Sequence, residues 1–143
     1  MKKRILIVDD SEMMREFLAH QLNEKYETVV AASSEEAIRK LEIEFLPDLI
    51  LTDYSMEGQS GLDLLQHVKK STELEHICVV VLSSKMQSKE KVNCLQAGAD
   101  DYILKPFNPI ELQLRIDKVL NLRRQSMSVI VSREQSVSVI VNS

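Results

Sequence analysis

Apolar residues fall along this chain in short blocks that do not alternate with polar ones. Ile5-Leu6-Ile7-Val8, Leu49-Ile50-Leu51-Thr52, Val79-Val80-Val81-Leu82 and Tyr102-Ile103-Leu104 are the clearest. Unbroken runs of this length are expected of strands buried on both faces. Thr28 to Ala32 reads as a further strand, second in chain order. Between the runs the period changes to that of a helix. Ser11 can cap a helix that buries Met14, Phe17, Leu18 and Leu22. Ser34 starts a second, with Ala37, Ile38 and Leu41 inward, and Pro47 ends that connection. Gly58 and Gly61 mark a loop before a helix carrying Leu62, Leu64, Leu65 and Val68. Ser88 opens a helix with Val92, Leu95 and Ala99 on one face, and Gly98 suits its end. Asn108-Pro109 starts the last helix, with Leu112, Ile116, Val119 and Leu120 inward and its end near Arg123-Arg124.

Strand and helix alternate five times, which predicts an α/β fold: a doubly wound, five-stranded parallel sheet with five helices covering both faces. Crossovers in such a sheet are right-handed. Its ligands bind outside the carboxyl ends of the strands. That rule sorts the aspartates. Asp9, Asp10 and Asp53 follow their strands, and Ser83 and Lys105 stand at the same rim. Asp48, Asp100 and Asp101 precede theirs, so they read as turn residues or solvated charges at the opposite rim.

The tail follows another rule. Gln125 to Ser132 recurs as Gln135 to Asn142, with Met127, Val129 and Val131 matched by Val137, Val139 and Val141. The alternation is that of strands and predicts two short β-like segments. The division is therefore a domain over 1–124 and a tail over 125–143 that can form a β-arm. An uncharged Val-Ile-Val segment is an aggregation hazard when alone. Three outcomes are open for it: a disordered tail, a hairpin, or pairing with another chain. The hypothesis favoured is self-association through residues 126–142.

At 143 residues the chain suits one domain with an appendage, and 44% hydrophobic residues can fill its core. A net charge of -4 gives no general reason to expect nucleic acid or an anionic membrane as partner. No segment reads as a membrane span or a signal peptide, so the expected location is cytoplasmic. Cys78 lies in an apolar run and Cys94 in a helical pattern; both read as reduced packing residues.

Three carboxylates, a hydroxyl and an ammonium at one rim suit a divalent cation and a phosphoryl group. Clustered carboxylates are costly unless one gains a proton or a cation binds. Two or three of them with a backbone carbonyl suit Mg²⁺. Asp53, central in chain order, is the natural nucleophile, and its product would be an acyl phosphate. Ser83 can donate to a phosphoryl oxygen, and Lys105 can pair with others as a point charge. Taken singly, Asp9-Asp10 could be a helix-start charge pair, Ser83 a turn residue and Lys105 a solvated lysine. The set carries the inference. The Lys105-Pro106 peptide is a candidate cis bond.

These residues resemble the receiver domain of two-component response regulators, the CheY-like family. The likeness covers about residues 3–122 and rests on Ile7-Val8-Asp9-Asp10, on Asp53 followed by Met56 and Gly61, and on Ser83-Ser84. It rests also on Ala97-Gly98-Ala99-Asp100-Asp101-Tyr102 and on Lys105-Pro106-Phe107. The resemblance implies a 2-1-3-4-5 strand order. It implies that Asp53 takes a phosphoryl group from the phosphohistidine of a partner histidine kinase or phosphotransfer protein. Mg²⁺ would be held by Asp10 and Asp53 directly, by Asp9 largely through water, and by the Ser55 carbonyl. Phosphorylated Asp53 would then draw in the Ser83 hydroxyl, and Tyr102 would turn into the space vacated. The surface of the last two helices and fifth strand would change its affinity for an output protein. A bland role for Tyr102 is a half-buried strand aromatic. Glu57 departs from the family, standing where many relatives have proline. Ser55 and Ser84 occupy positions that, by the resemblance, influence phosphoryl lifetime.

Two other readings compete with this one. A Mg²⁺-dependent aspartyl-phosphate phosphatase would need an acid two residues after its nucleophile, where this chain has Ser55. An inert module of the same shape would not need the intact set of five. No output motif follows the domain. The expectation is a stand-alone regulator acting through protein contacts, with a truncated chain as the alternative.

Overall fold

The computed structural model describes residues 2–43, 46–84 and 88–135, with side chains as far as Leu122. The elements alternate: β1 (Arg4–Val8), α1 (Glu12–Leu22), β2 (Glu27–Ala31), α2 (Ser34–Glu42), β3 (Leu49–Asp53), α3 (Gly61–Lys70), β4 (Cys78–Ser83), α4 (Ser88–Gln96), β5 (Asp101–Leu104) and α5 (Pro109–Gln135). The strands form one parallel sheet in the order β2-β1-β3-β4-β5. The predicted fold class and the implied strand order are both present.

The unbroken apolar runs have a direct cause. Successive strand residues point to opposite faces, and both faces are covered. Leu6, Val8, Ile50, Val79 and Val81 pack with residues of α2, α3 and α4. Their neighbours Ile5, Ile7, Leu49, Leu51, Val80 and Leu82 pack with residues of α1 and α5. Cys78 and Cys94 are buried free thiols, one in each layer. Every residue of β3 and β4 is buried, which makes their carboxyl ends firm supports.

Local chemistry sets the helix starts. Ser11 accepts from the Met14 N–H, and Ser33 from the Glu36 N–H. Ser60 and Asp63 form a capping box on α3. Asn108 accepts from the Ile110 and Glu111 N–H groups at the start of α5. Three expectations fail. Phe17 is 45% exposed and meets Phe107 edge-on instead of lying in the core. On α4, Val92 and Leu95 are exposed, because the helix turns Cys94 to the sheet. A helix of nine residues carries two candidate stripes, and the period alone does not choose between them.

The third is the tail. α5 does not stop at Arg124 but runs to Gln135, so the first β-like copy is helical here. From Ile110 to Gln135 there is no glycine or proline to stop it. Extending a formed helix needs no new nucleus, whereas a strand needs an edge to pair with. The second copy, from Ser136 on, lies outside the described residues.

Candidate functional site

The carboxyl ends of β1 and β3 meet at one rim. β1 ends at Val8, so Asp9 and Asp10 project where its pairing stops, and Asp53 is the last residue of β3. Asp9, Asp10 and Asp53 each offer an oxygen within 4.8 Å of the others. Asp9 and Asp53 are buried and Asp10 is exposed. The pocket is thus closed beneath and open on one side. Among the described residues this is the one such group of potential metal ligands.

Four of the five predicted residues converge, and Ser83 ends β4 at the same rim. Lys105, just beyond β5, places Nζ 3.0 Å from Asp53 Oδ1 and 3.5 Å from Asp9 Oδ2. The Lys105 N–H donates to the Ser83 carbonyl at 2.8 Å, which ties the end of β5 to the end of β4. Ser83 is buried, and its side chain hydrogen-bonds with that of Tyr102, itself buried. Ser55 is exposed in the loop that leaves β3, two residues beyond Asp53. The Lys105-Pro106 peptide is cis.

The electrostatics follow from this packing. Burial pushes the Asp53 carboxyl above the ordinary carboxylate value; Lys105 opposes this, and Asp9 and Asp10 add to it. For Lys105, burial works against the charge, yet the hydrogen bond and charge of Asp53, with Asp9, win and raise it. Both partners of one ion pair are therefore raised. The asymmetry is physical: Lys105 sees two anions, whereas Asp53 sees one cation and two like charges. The cluster retains an excess of negative charge that a hard, oxygen-seeking cation would relieve.

Supporting contacts went unnoticed in the sequence. The Ser11 N–H donates to Asp9 Oδ1 at 2.9 Å, and Arg15 Nη1 donates to the Asp9 carbonyl at 2.9 Å. Asp10 Oδ2 accepts the Glu57 N–H at 3.3 Å, so the residue that departs from the family's proline uses an N–H proline lacks. Gly61 is fixed by space. A Cβ there would lie 2.3 Å from the Asp53 carbonyl oxygen. The excluded aspartates have structural work. Asp48 Oδ2 accepts the Arg4 N–H and Asp100 Oδ2 the Val79 N–H, both at 2.8 Å. Asp101 is the first residue of β5; it accepts the Tyr102 N–H and pairs with Arg115.

Fold and pocket together define a doubly wound α/β domain with an acidic site at the carboxyl ends of its strands. Residues 5–117 match the response regulator receiver domain, and the chain belongs to that family. It is 38% identical over 121 residues to the phosphate regulon transcriptional regulatory protein PhoB of Escherichia coli K12, covering 84% of this chain and 52% of that protein. It is 36% identical over 120 residues to the sensor histidine kinase TmoS of Ectopseudomonas mendocina, covering 84% of this chain and 12% of the kinase. A CheY-like receiver domain protein from Methanospirillum hungatei superposes with a TM-score of 0.81 at 32% identity, over 88% of this chain and 99% of that one. The chain spans about half the length of the PhoB relatives it matches. Receiver domains are phosphoacceptor switches of two-component signalling. They work with histidine kinases and output domains and bind Mg²⁺ at their acidic pocket, and the all-oxygen cluster here fits that ion. No helix among the described residues is long and apolar enough to cross a membrane.

Proposed function

We infer that residues 1–124 are a phosphorylatable signalling switch in which Asp53 accepts a phosphoryl group from a partner histidine kinase, in the cytoplasm and with Mg²⁺. The observation that carries this reading is Lys105 Nζ at 3.0 Å from an Asp53 carboxylate that shares its pocket with Asp9 and Asp10. A carboxylate oxygen of Asp53 attacks phosphorus, and the bond from phosphorus to the donor imidazole nitrogen breaks. The imidazole leaves and takes up a proton from solvent. Lys105 follows the charge and pairs with a phosphoryl oxygen, and Ser83 donates its hydroxyl to another. Bound by Asp9, Asp10, Asp53 and the Ser55 carbonyl, Mg²⁺ supplies neutralisation of the charge on the transferring group.

The new charge biases a two-state equilibrium. Ser83 leaves Tyr102 for the phosphoryl group, and the α4–β5–α5 face changes its contacts with an output protein. That face supports the reading, because Val92, Leu95 and Leu104 are exposed on it at 46%, 43% and 42%. Hydrolysis of its own acyl phosphate resets the switch; a turnover enzyme acting on other esters is disfavoured by Ser55, which is no acid. The test is incubation with Mg²⁺ and acetyl phosphate followed by intact mass. The wild type should gain one phosphoryl group and Asp53→Asn none. A wild type that gains nothing, or a variant that still gains it, would sink the reading.

A further inference from the structure

Among the described residues the buried polar side chains are Asp9, Ser34, Thr52, Asp53 and Ser83. Asp9, Asp53 and Ser83 stand at the rim, and Thr52 precedes Asp53 on β3. Ser34 stands apart, as the first residue of α2. Its hydroxyl is not needed to start that helix, because Ser33 already caps it by accepting the Glu36 N–H at 3.0 Å. Nor does a hydroxyl suit this place for its own sake. Alanine is the better helix former, and a buried polar group without a partner is costly. The bond that Ser34 makes accounts for it: Oγ donates to the Ser60 carbonyl at 2.9 Å, from the start of α2 to the residue that caps α3.

Ser60 ends the loop that leaves the acceptor site. This loop joins β3 to α3, and its Ser55, Glu57, Gly58 and Gln59 are exposed. On the side of the pocket it is held by the Glu57 N–H, which donates to Asp10 Oδ2 at 3.3 Å. At its base the Gly61 N–H donates to the Tyr54 carbonyl at 2.9 Å. The start of α2 supports it from a third direction. Besides the Ser34 bond, the Glu35 carboxylate lies against Gly58, where an added Cβ would meet Oε2 at 2.8 Å. Gly58 has a φ of +83°, which a residue with a side chain adopts only under strain. The loop therefore turns directly on the first residues of α2.

We propose that Ser34 is a positioning residue for the acidic pocket: its bond to the Ser60 carbonyl holds the β3–α3 loop where the Ser55 carbonyl and the Glu57 N–H serve the Mg²⁺ site. The proposal rests on the reading of that pocket given above. Ser34 acts through the loop and is not a ligand. A loop held by fewer bonds samples more conformations, and ordering it when the cation binds costs affinity. A plainer role competes, in which the bond merely joins α2 to α3. Its loss would then lower stability and leave Mg²⁺ affinity alone. The Ser60 carbonyl also accepts the Leu64 N–H at 3.1 Å, so removing the Ser34 hydroxyl leaves no carbonyl unpaired and the fold should tolerate the change.

The experiment compares the full chain as wild type, Ser34→Ala and Ser33→Ala. Titration calorimetry measures Mg²⁺ affinity, and urea unfolding without the ion measures stability. Intact mass follows phosphoryl uptake from acetyl phosphate across a Mg²⁺ series. Ser34→Ala should bind Mg²⁺ about fivefold more weakly, the scale of one net hydrogen bond. It should need correspondingly more Mg²⁺ for half-maximal uptake and reach the wild-type rate at saturation, because the groups that meet the phosphoryl oxygens are intact. Ser33→Ala removes the cap and weakens α2 without removing the bond to the loop. It should lower the urea midpoint and keep wild-type Mg²⁺ affinity. Wild-type affinity in Ser34→Ala, or equal losses of affinity in the two variants, would overturn the proposal. A wild type that binds no Mg²⁺ and gains no phosphoryl group would overturn the reading of the pocket itself, and the wild type alone reports that case.

Discussion

Between Asp53 and Asp9 the Lys105 ammonium does two opposed things. It offsets part of the carboxylate charge, and it repels any cation that approaches the same oxygens. Removing it should separate the two effects. Lys105→Met takes away a charge that stabilises the transferring phosphoryl group, so acceptance from acetyl phosphate should slow by about 100-fold, as when one preorganised donor is lost from a charged site. The same variant should bind Mg²⁺ more tightly than the wild type, because one positive neighbour is gone. Intact-mass time courses and titration calorimetry measure the two. Opposite directions support the assignment; a loss of both means only a damaged pocket. The five residues of the site were legible in the sequence because each stands where an apolar run stops, and the strand-end rule needs only that. The support that Ser11 and Arg15 give Asp9 was not legible. Their roles depend on which way a helix is turned against the sheet and on backbone groups brought close by folding, and residue type says nothing about either.

The element that leaves the site is as constrained as the one that enters it. α3 begins at Gly61 directly against the end of β3, and the Gly61 N–H donates to the Tyr54 carbonyl at 2.9 Å. A methyl group at this position would meet the Asp53 carbonyl oxygen at 2.3 Å and the Tyr54 Cα at 3.1 Å, both backbone atoms that cannot turn aside. Gly61→Ala should therefore shift the segment that presents Asp53. A cost of about 1–3 kcal/mol is typical of such overpacking, read as a lower urea midpoint with an unchanged slope. Mg²⁺ affinity should fall with it. Wild-type affinity in the variant would show that the close approach does not position Asp53. Elements themselves were read well where pattern and punctuation agree, as at Asn108-Pro109 or Ser11. They were read poorly on α4 and α5. Val92 and Leu95 form a valid apolar stripe, but Cys94 and Ala97 form another, and only the sheet decides between them. The strand-like alternation at 125–132 is real, yet the helix already under way continues through it.

At the scale of the molecule, one polar contact at the rim opposite the site joins distant parts of the chain. Tyr26, just before β2, is 4% exposed, and its hydroxyl donates to the Asp117 carboxylate on α5. Lys25 pairs with the other Asp117 oxygen at 3.0 Å. Burial first, then the hydrogen bond and charge of Asp117, push the Tyr26 phenol far above its ordinary 10.0. The folded protein therefore holds this proton more tightly than the unfolded chain does. Stability from this group is full below the unfolded value near pH 10 and is lost as pH rises from there through the folded value. Tyr54 and Tyr102 are also raised, chiefly by burial, so the total alkaline loss is not specific to Tyr26. Comparison with Tyr26→Phe isolates its share. Near neutral pH the variant should be less stable by about 1.5–3 kcal/mol, the scale of a hydrogen bond to a charged acceptor. Above pH 10 it should lose stability less steeply than the wild type, so the two curves should converge. Urea unfolding across an alkaline series measures both. Parallel curves would mean that the Tyr26–Asp117 contact is not what keeps the phenol protonated.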